Sequence, residues 1–534
     1  MFNNTRKAQA KFAASFGKMK EDAFRFDFIE RYFGLKDKSA SFHSLSDKTC
    51  NDLDFKELFM FVDRTTSRVG QQYLYDRLRT VPGNGEELAG QEQLIHKIAT
   101  DPELRVNLQL QLDKLGTDEA YYLTSLFHET YIAEPKWFFV TRLLSFTTLL
   151  SLVLLPFNPR LIFVLTGVFI VNAGIHLWNK RNLYQYLASI PQLLRLNDVA
   201  KALLKSEIFQ GKKRDLENSI AAIDKVRNKM SFFKLTSKLE SDVEIIFWAV
   251  LEFFKILFLL EPLFLFGVLK QLDAKRKEME ELFSFVGYAD FLISIASLRS
   301  GLDQYCIPEI TNSNQLLDAK EVYHPFILNC VSNSIQVKGQ SILLTGSNMS
   351  GKTSFIRTIG INAITGLSLN TCFAEKFSLP RTCIFSAIRI SDDLMNDKSY
   401  YFEEVLTIKE MIQHGRSSKP NLFLLDEIFK GTNTVERISA GKAVLSYLAK
   451  SDNIVFVSTH DIELADLLKE EYVLYHFSEK IDNKSIDFDF KLKEGKLRNR
   501  NAIRILQIND YPNEIINEAI EISKELDNIT MGNH

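Results

Sequence analysis

SILLTGSNMSGKTSFIRTIGINAI, residues 341–364, decides the fold of the C-terminal half. An apolar strand pattern, SILLT, runs into a loop bounded by glycines, and the loop runs into a helical pattern. The loop is Gly346, Ser347, Asn348, Met349, Ser350, Gly351, Lys352 and Thr353, which fits GxxxxGK[ST]. Strand before and helix after is the context that separates a phosphate-binding loop from a chance match. The glycines let the backbone curl so that successive N–H groups point at phosphate, and the helix N-terminus adds partial positive charge. Lys352 is positioned to reach the β- and γ-phosphates, and the Thr353 hydroxyl to ligate magnesium. Ser354 completes the nucleotide-binding set, so the expected ligands are ATP and Mg2+.

Working outward, NLFLLDE at 421–427 is a second apolar strand, with two acids at its C-terminal end. Asp426 is expected to hold the magnesium and Glu427 to act as general base on the attacking water. IVFVSTH at 454–460 is another such strand, and His460 stands where a side chain senses the lytic water or the terminal phosphate. With TCIF at 382–385, these runs alternate with helical segments after about Ser300. That is the pattern of a parallel sheet with crossover helices, an α/β P-loop domain. Between loop and acids lies SDDLMNDKSYYFEEV, 391–405, where Ser399 opens a helix. It either caps that helix or presents its hydroxyl to a phosphate held by another subunit.

The N-terminal half reads differently. From Asp52 to about Gly116 the pattern is helical with polar faces. Leu143 to Pro159 and Leu161 to Asn179 then carry no charge, and Arg160 alone separates them. Each run, about 17 to 19 residues, is at the lower end of what crosses a hydrocarbon core. Trp137 and Trp178 bracket the pair, and Lys136, Arg142, Lys180 and Arg181 flank it. The reading is a membrane hairpin over 137–178 with both ends on the cytoplasmic side, in preference to a hairpin buried in a soluble core. Ile245 to Leu269 is apolar but broken by Glu252, Lys255, Glu261 and Pro262. A core helix and a membrane-associated helix fit it equally. Asn182 to Asp242 carries scattered lysines and arginines mixed with acids, the mark of a solvated helical face more than of a nucleic-acid patch.

Composition bounds the rest. The 65 basic and 67 acidic residues nearly cancel, so no global charge draws the chain to nucleic acid. Five scattered cysteines without a CxxC pair argue against a disulfide scaffold or zinc site and fit a reducing compartment. The first twenty residues lack a continuous apolar run, so they do not form a secretory signal. Their basic, acid-free character fits a plain helical or frayed terminus better than an organelle presequence.

TGSNMSGKTSFIRTIG (345–360), ISDDLMNDKSYYFEEV (390–405), FLLDEIFKGTNT (423–434) and VSTH (457–460) stand in the order and spacing of the MutS family of ABC-type ATPases. Tyr323-His324-Pro325 and Val331-Ser332-Asn333 match segments that precede that family's loop. DFKELFMFVDRTTSRVGQQYLYDRL (54–78) resembles the start of its helical core. FVGYADFLISIASLR (285–299), with Asp290, resembles the closing helix, and DYPNEIINEAIEIS (510–523) the terminal extension. The resemblance implies that Ser399 acts in trans, with Glu404 behind it in the same helix, and that Gly431-Thr432-Asn433 lie at a dimer interface. The expected assembly is therefore a homodimer with composite sites. Double-stranded DNA is an expected partner by resemblance, and a membrane-anchored mechanochemical or scaffold ATPase is the alternative.

The chain also departs from that family. The mismatch-reading and connector modules are expected to be absent, and Phe28-Ile29-Glu30 is read as a chance match to the family's wedge. The apolar hairpin stands where the long arm and clamp belong. Ser347, Ser350 and Arg389 replace residues usual in the family, yet none removes a phosphate, metal or water ligand. The domain reading is a basic segment over 1–50, a helical core or lever over 51–300 interrupted by the hairpin, an ATPase domain over 301–505 and a helical extension over 506–534.

Overall fold

The computed structural model describes residues 2–531 except 84–85, 132–133, 235–249, 251, 314–315, 348, 390–399, 417–418, 451, 482–485, 498–501 and 510. Asn348, Ser399 and part of the 245–269 stretch thus lie outside the described residues. The chain divides into two compact units. The first holds Met1–Lys38, Val62–Arg77 and Ala89–Gly301. The second holds Ser39–Phe61, Leu78–Leu88 and Leu302–His534. Residues 39–61 and 78–88 therefore cluster with the C-terminal half, not with the helical half in which most of them were expected.

The first unit is helical. Its elements include α1 (Phe139–Leu154), α2 (Leu161–Asn182), α3 (Leu260–Asp273) and α4 (Arg276–Ser300). Local chemistry sets their ends. Asp101, for example, accepts from the Leu104 amide at 2.9 Å ahead of the helix Pro102–Leu112, whose first residue needs no amide partner. Helix α4 is long and apolar, but 83% of its apolar stretch is buried, so it is the centre of the unit's core. Tyr184–Leu203 and Lys213–Lys234 pack on it. Buried Asp290 on α4 accepts from the Thr66 amide (2.9 Å), the Ser67 amide (2.7 Å) and the Ser67 hydroxyl (2.6 Å), pinning the turn before helix Arg68–Arg79. Two basic residues of the neighbouring helices are partnered: Arg227 with Asp198 at 2.7 Å and Lys201 with Asp224 at 2.6 Å.

Helices α1 and α2 behave otherwise. Only 22% and 17% of their apolar stretches are buried, and Phe146, Val153, Phe163 and Ile170 are exposed. Trp137 and Trp178 meet edge to face at 5.4 Å at the open end of the hairpin.

The second unit is built on a six-stranded sheet. In chain order its strands are β1 (Ser341–Thr345), β2 (Cys383–Ala387), β3 (Asn421–Asp426), β4 (Asn453–Thr459), β5 (Tyr472–His476) and β6 (Lys493–Glu494). The spatial order is β6-β5-β1-β4-β3-β2. The first five are parallel and β6 closes the edge antiparallel. β1, β2 and β4 are buried along their whole length and β3 up to Asp426, which is why their sequences are near-continuous apolar runs instead of alternating ones. Helices α5 (Lys352–Leu369), α6 (Tyr400–His414) and α7 (Thr434–Leu448) accompany the sheet. A four-stranded sheet, Glu309–Thr311, Lys376–Pro380, Leu316–Val322 and Asn333–Lys338 in spatial order, completes the strand layers. The chain's last described helices are Ala502–Ile508 and Asn513–Met531.

Candidate nucleotide site

The site assembles because β1, β4 and β3 are parallel neighbours. Thr459 registers against Thr345 and Ser458 against Asp426. The loops leaving their C-terminal ends therefore emerge side by side, where open parallel sheets place ligands.

The loop after β1 is wound tightly. Gly346 has φ +151° and Gly351 has φ +107°, a left-handed conformation that costs glycine nothing and strains other residues. A Cβ on Gly346 would lie 2.8 Å from Ser350 Oγ and 2.9 Å from the Phe477 carbonyl oxygen. Lys352 opens α5 with its side chain folded back: its Nζ donates to the carbonyls of Gly346 and Ser347, both at 2.8 Å. Burial lowers the ammonium pKa, while Glu427 and Asp426 pull it back up. Ser347 donates to Glu479 at 2.7 Å, which gives this departure from the family pattern a partner. Ser350 Oγ, within the loop itself, is buried without a hydrogen-bond partner among the described residues. Met349 is exposed at φ +70°, and Ser354 is exposed on the first turn of α5.

The acids meet this loop. The Thr353 hydroxyl donates to Asp426 Oδ2 at 2.8 Å, and the Ser458 hydroxyl donates to Asp426 Oδ1. Both oxygens are hard donors of the kind magnesium takes. Among the described residues no group of three or more His, Cys, Asp or Glu could hold a metal ion. The Thr353 and Asp426 pair thus fits an ion that keeps most of its shell for phosphate oxygens and water. Glu427 turns out of the sheet at φ +54°, its amide donating to the Ser458 carbonyl at 3.0 Å. Its carboxylate pairs with His460 Nε2 on one oxygen and with Lys430 Nζ at 3.0 Å on the other. Burial would raise its pKa, but the hydrogen bonds from His460 and Lys430 outweigh burial and hold it at about 2. Glu427 is therefore an ionised carboxylate held in place on both oxygens.

Alongside lies a cavity of about 400 Å3. Its lining combines polar groups, Lys352, Thr353 and Glu427, with the apolar Ile327, Leu328, Val331 and Phe490 and with His324. Burial lowers the His324 pKa to about 4, and its Nδ1 accepts from the Phe326 amide at 3.3 Å, so the ring is neutral.

Several positions escaped the sequence reading. Lys430 and Ser458 fix the two acids; both lie inside quoted motifs, yet neither was given a role there. Glu479 and Phe490 come from a late segment with no motif. Asp52 accepts from the Ser386 hydroxyl (2.7 Å) and from the amides of Ile388 (3.0 Å) and Arg389 (2.9 Å), fixing the chain just before 390–399. Arg389 itself donates to Asp54 at 2.7 Å, which explains an arginine there. Glu404 is buried and accepts from the Phe429 amide, so it shapes the turn after Glu427. Asn433 caps α7 by accepting from the Glu436 amide at 3.0 Å, a local role beside any interface role.

Residues 342–527 match the family description of MutS domain V. The DNA mismatch repair protein MutS of Aquifex pyrophilus is 27% identical over 256 residues, 46% of this chain and 29% of that protein. MutS of a Listeria monocytogenes serotype 4b strain is 30% identical over 292 residues, 48% of this chain and 33% of its own length. The DNA mismatch repair protein MSH3 of Kluyveromyces lactis is 31% identical over 258 residues, 44% of this chain and 24% of its own. The matching part thus spans a third or less of these relatives.

Proposed function

We propose that this chain, whose ATPase half is MutS-like, is a membrane-anchored ATPase that hydrolyses ATP to ADP and phosphate at composite sites in a homodimer. The observation that carries the reading is the convergence of Lys352, Thr353, Asp426, Glu427 and His460 at three neighbouring strand ends. Lys352 and the loop amides would hold the phosphates. Thr353 and Asp426 would hold magnesium, which when bound neutralises charge on the transferring phosphoryl group. Glu427 would take a proton from the attacking water, and His460 would keep that carboxylate ionised and aimed. Ser399 would complete the site from a second copy, with Gly431, Thr432 and Asn433 near that junction.

The exposed apolar surface of α1 and α2 supports the anchor, with the ATPase domain on the cytoplasmic side. Nucleotide binding would draw two ATPase units together and move whatever the helical units carry. A second reading, binding of double-stranded DNA, is favoured by the similarity to DNA mismatch repair proteins. ATPase rate in detergent-purified protein, with and without duplex DNA at low and moderate salt, separates the two. Salt-sensitive stimulation means the helical unit grips nucleic acid. Hydrolysis indifferent to DNA means the ATPase serves a membrane task. No hydrolysis at all defeats the proposal.

A further inference from the structure

Residues 252–273 carry the charges that left their sequence ambiguous. The structure shows where those charges go. Lys255 is 1% exposed, and its Nζ lies 3.1 Å from Glu261 and 3.5 Å from Glu252. Glu252 also meets His176 Nε2 at 3.2 Å and Lys180 at 3.1 Å, and Glu261 lies 3.7 Å from His176 Nδ1. Every ionisable group of residues 252–266 therefore points inward at the hairpin or at another of its own charges. Phe253, Phe254 and Phe264 face outward and are exposed. Phe253 continues the apolar surface of the hairpin through Phe169, ring to ring at 5.5 Å.

The backbone reverses in the same place. Residues 252–257 are helical, Leu259 is left-handed at φ +48°, and α3 begins at Leu260. A break of this kind frees carbonyls, which is tolerated at membrane depth only where protein groups satisfy them. Both are satisfied from the hairpin. The Ser145 hydroxyl donates to the Phe258 carbonyl at 2.7 Å, and the Asn172 amide donates to the Leu257 carbonyl at 2.8 Å. Ser145 is six residues into α1 from Phe139 and Asn172 six residues from Trp178, about 9 Å along each helix from its aromatic end. Both limbs return to that end: Glu252 meets Lys180, and Phe266 packs on Phe138 at 4.8 Å.

We infer that residues 252–266 form a re-entrant hairpin, which enters the same lipid layer as α1 and α2 from the same side, turns at Leu259 and returns. Its ligand is acyl chain, taken by Phe253, Phe254 and Phe264. Glu252 and Glu261 are matched by Lys255 and Lys180, two carboxylates against two ammonium groups, with His176 between the acids, which reduces the cost that otherwise keeps such residues out of hydrocarbon. This inference rests on the membrane reading of α1 and α2 and goes beyond it.

The test is carbene photolabelling of the full chain in phosphatidylcholine vesicles with a lipid-soluble aryl diazirine, with adducts mapped by mass spectrometry. The expected result is adducts in 139–154, in 161–178 and also in 252–266. Adducts in the first two regions alone overturn the re-entrant hairpin and leave the membrane anchor standing. Adducts in none of the three overturn both. A second measurement uses Phe264→Cys in the same vesicles with a membrane-impermeant maleimide, peptide mapping separating it from Cys306 and Cys330. Modification at least tenfold slower than for the same chain unfolded in urea is expected. Equal rates overturn the inference.

Discussion

Thr353 Oγ1 donates to Asp426 Oδ2 at 2.8 Å, although 73 positions separate the two residues. One opens the helix behind the phosphate loop, and the other ends a strand that is a neighbour of the loop's strand but one. Their meeting follows from the order β1-β4-β3, and it brings together the two oxygen donors that would hold a magnesium ion.

Removing either donor should weaken nucleotide binding through the metal. Thr353→Val keeps the shape and deletes the hydroxyl. We expect ATP affinity in magnesium to fall by about tenfold or more, the worth of one charge-assisted contact. Affinity in EDTA should change little. Titration with a fluorescent ATP analogue under both conditions checks this, and equal losses would assign the hydroxyl a purely structural role.

Lys352→Met should remove binding more broadly. The ammonium rests on two backbone carbonyls while partly desolvated, so it is held ready at little further ordering cost. Loss of at least about a hundredfold in ATP affinity is expected from the charge alone. The same titration reads it.

The core aspartate gives a pH prediction. Burial raises Asp290 to about 6, and the hydrogen bonds from Ser67 and the Thr66 amide only partly offset that. Between about pH 4 and 6 the folded protein therefore keeps a proton that the unfolded chain releases, so this group's contribution to stability falls as pH rises through the window. The difference is about 3 kcal/mol at most, from roughly two pKa units. Asp290→Asn should flatten it. Thermal unfolding of both proteins at pH 4.5 and 7 should show the variant gaining on the parent at the higher pH.

Asp52 offers a prediction outside the phosphate site. Asp52→Ala leaves the Ser386 hydroxyl and two amides without their acceptor. Unsatisfied buried donors cost about 1–3 kcal/mol. We expect a lower melting temperature together with reduced turnover, because the chain it fixes leads into 390–399 and Ser399.

The C-terminal half was well legible in the sequence because its central strands are buried on both faces. Continuous apolar runs such as NLFLL mark their own positions, and polar residues then mark the strand ends where chemistry gathers. Lys352, Asp426, Glu427 and His460 were legible for that reason. Lys430 and Ser458 were not, since a lysine after a strand and a serine within one are ordinary unless register is known. The strand Tyr472–His476 was missed because it is short and only Tyr472 is fully buried, so it lacks the long apolar run that marks its neighbours. Residues 39–61 could not be assigned to the second unit, because their partners at 384–389 lie more than three hundred positions away. The charges of 252–261 were ambiguous because a linear reading cannot show which side of a helix they share with His176.

The most direct test of the central claim is single-turnover hydrolysis by detergent-purified wild type and Glu427→Gln, with the bound nucleotide identified after quenching. The account predicts that wild type converts ATP to ADP, whereas the variant binds ATP with similar affinity and retains it intact, its turnover lower by about 10²–10⁴-fold. Equal conversion by both proteins would contradict it, since the ionised carboxylate that His460 and Lys430 hold in place would then have no part in the reaction.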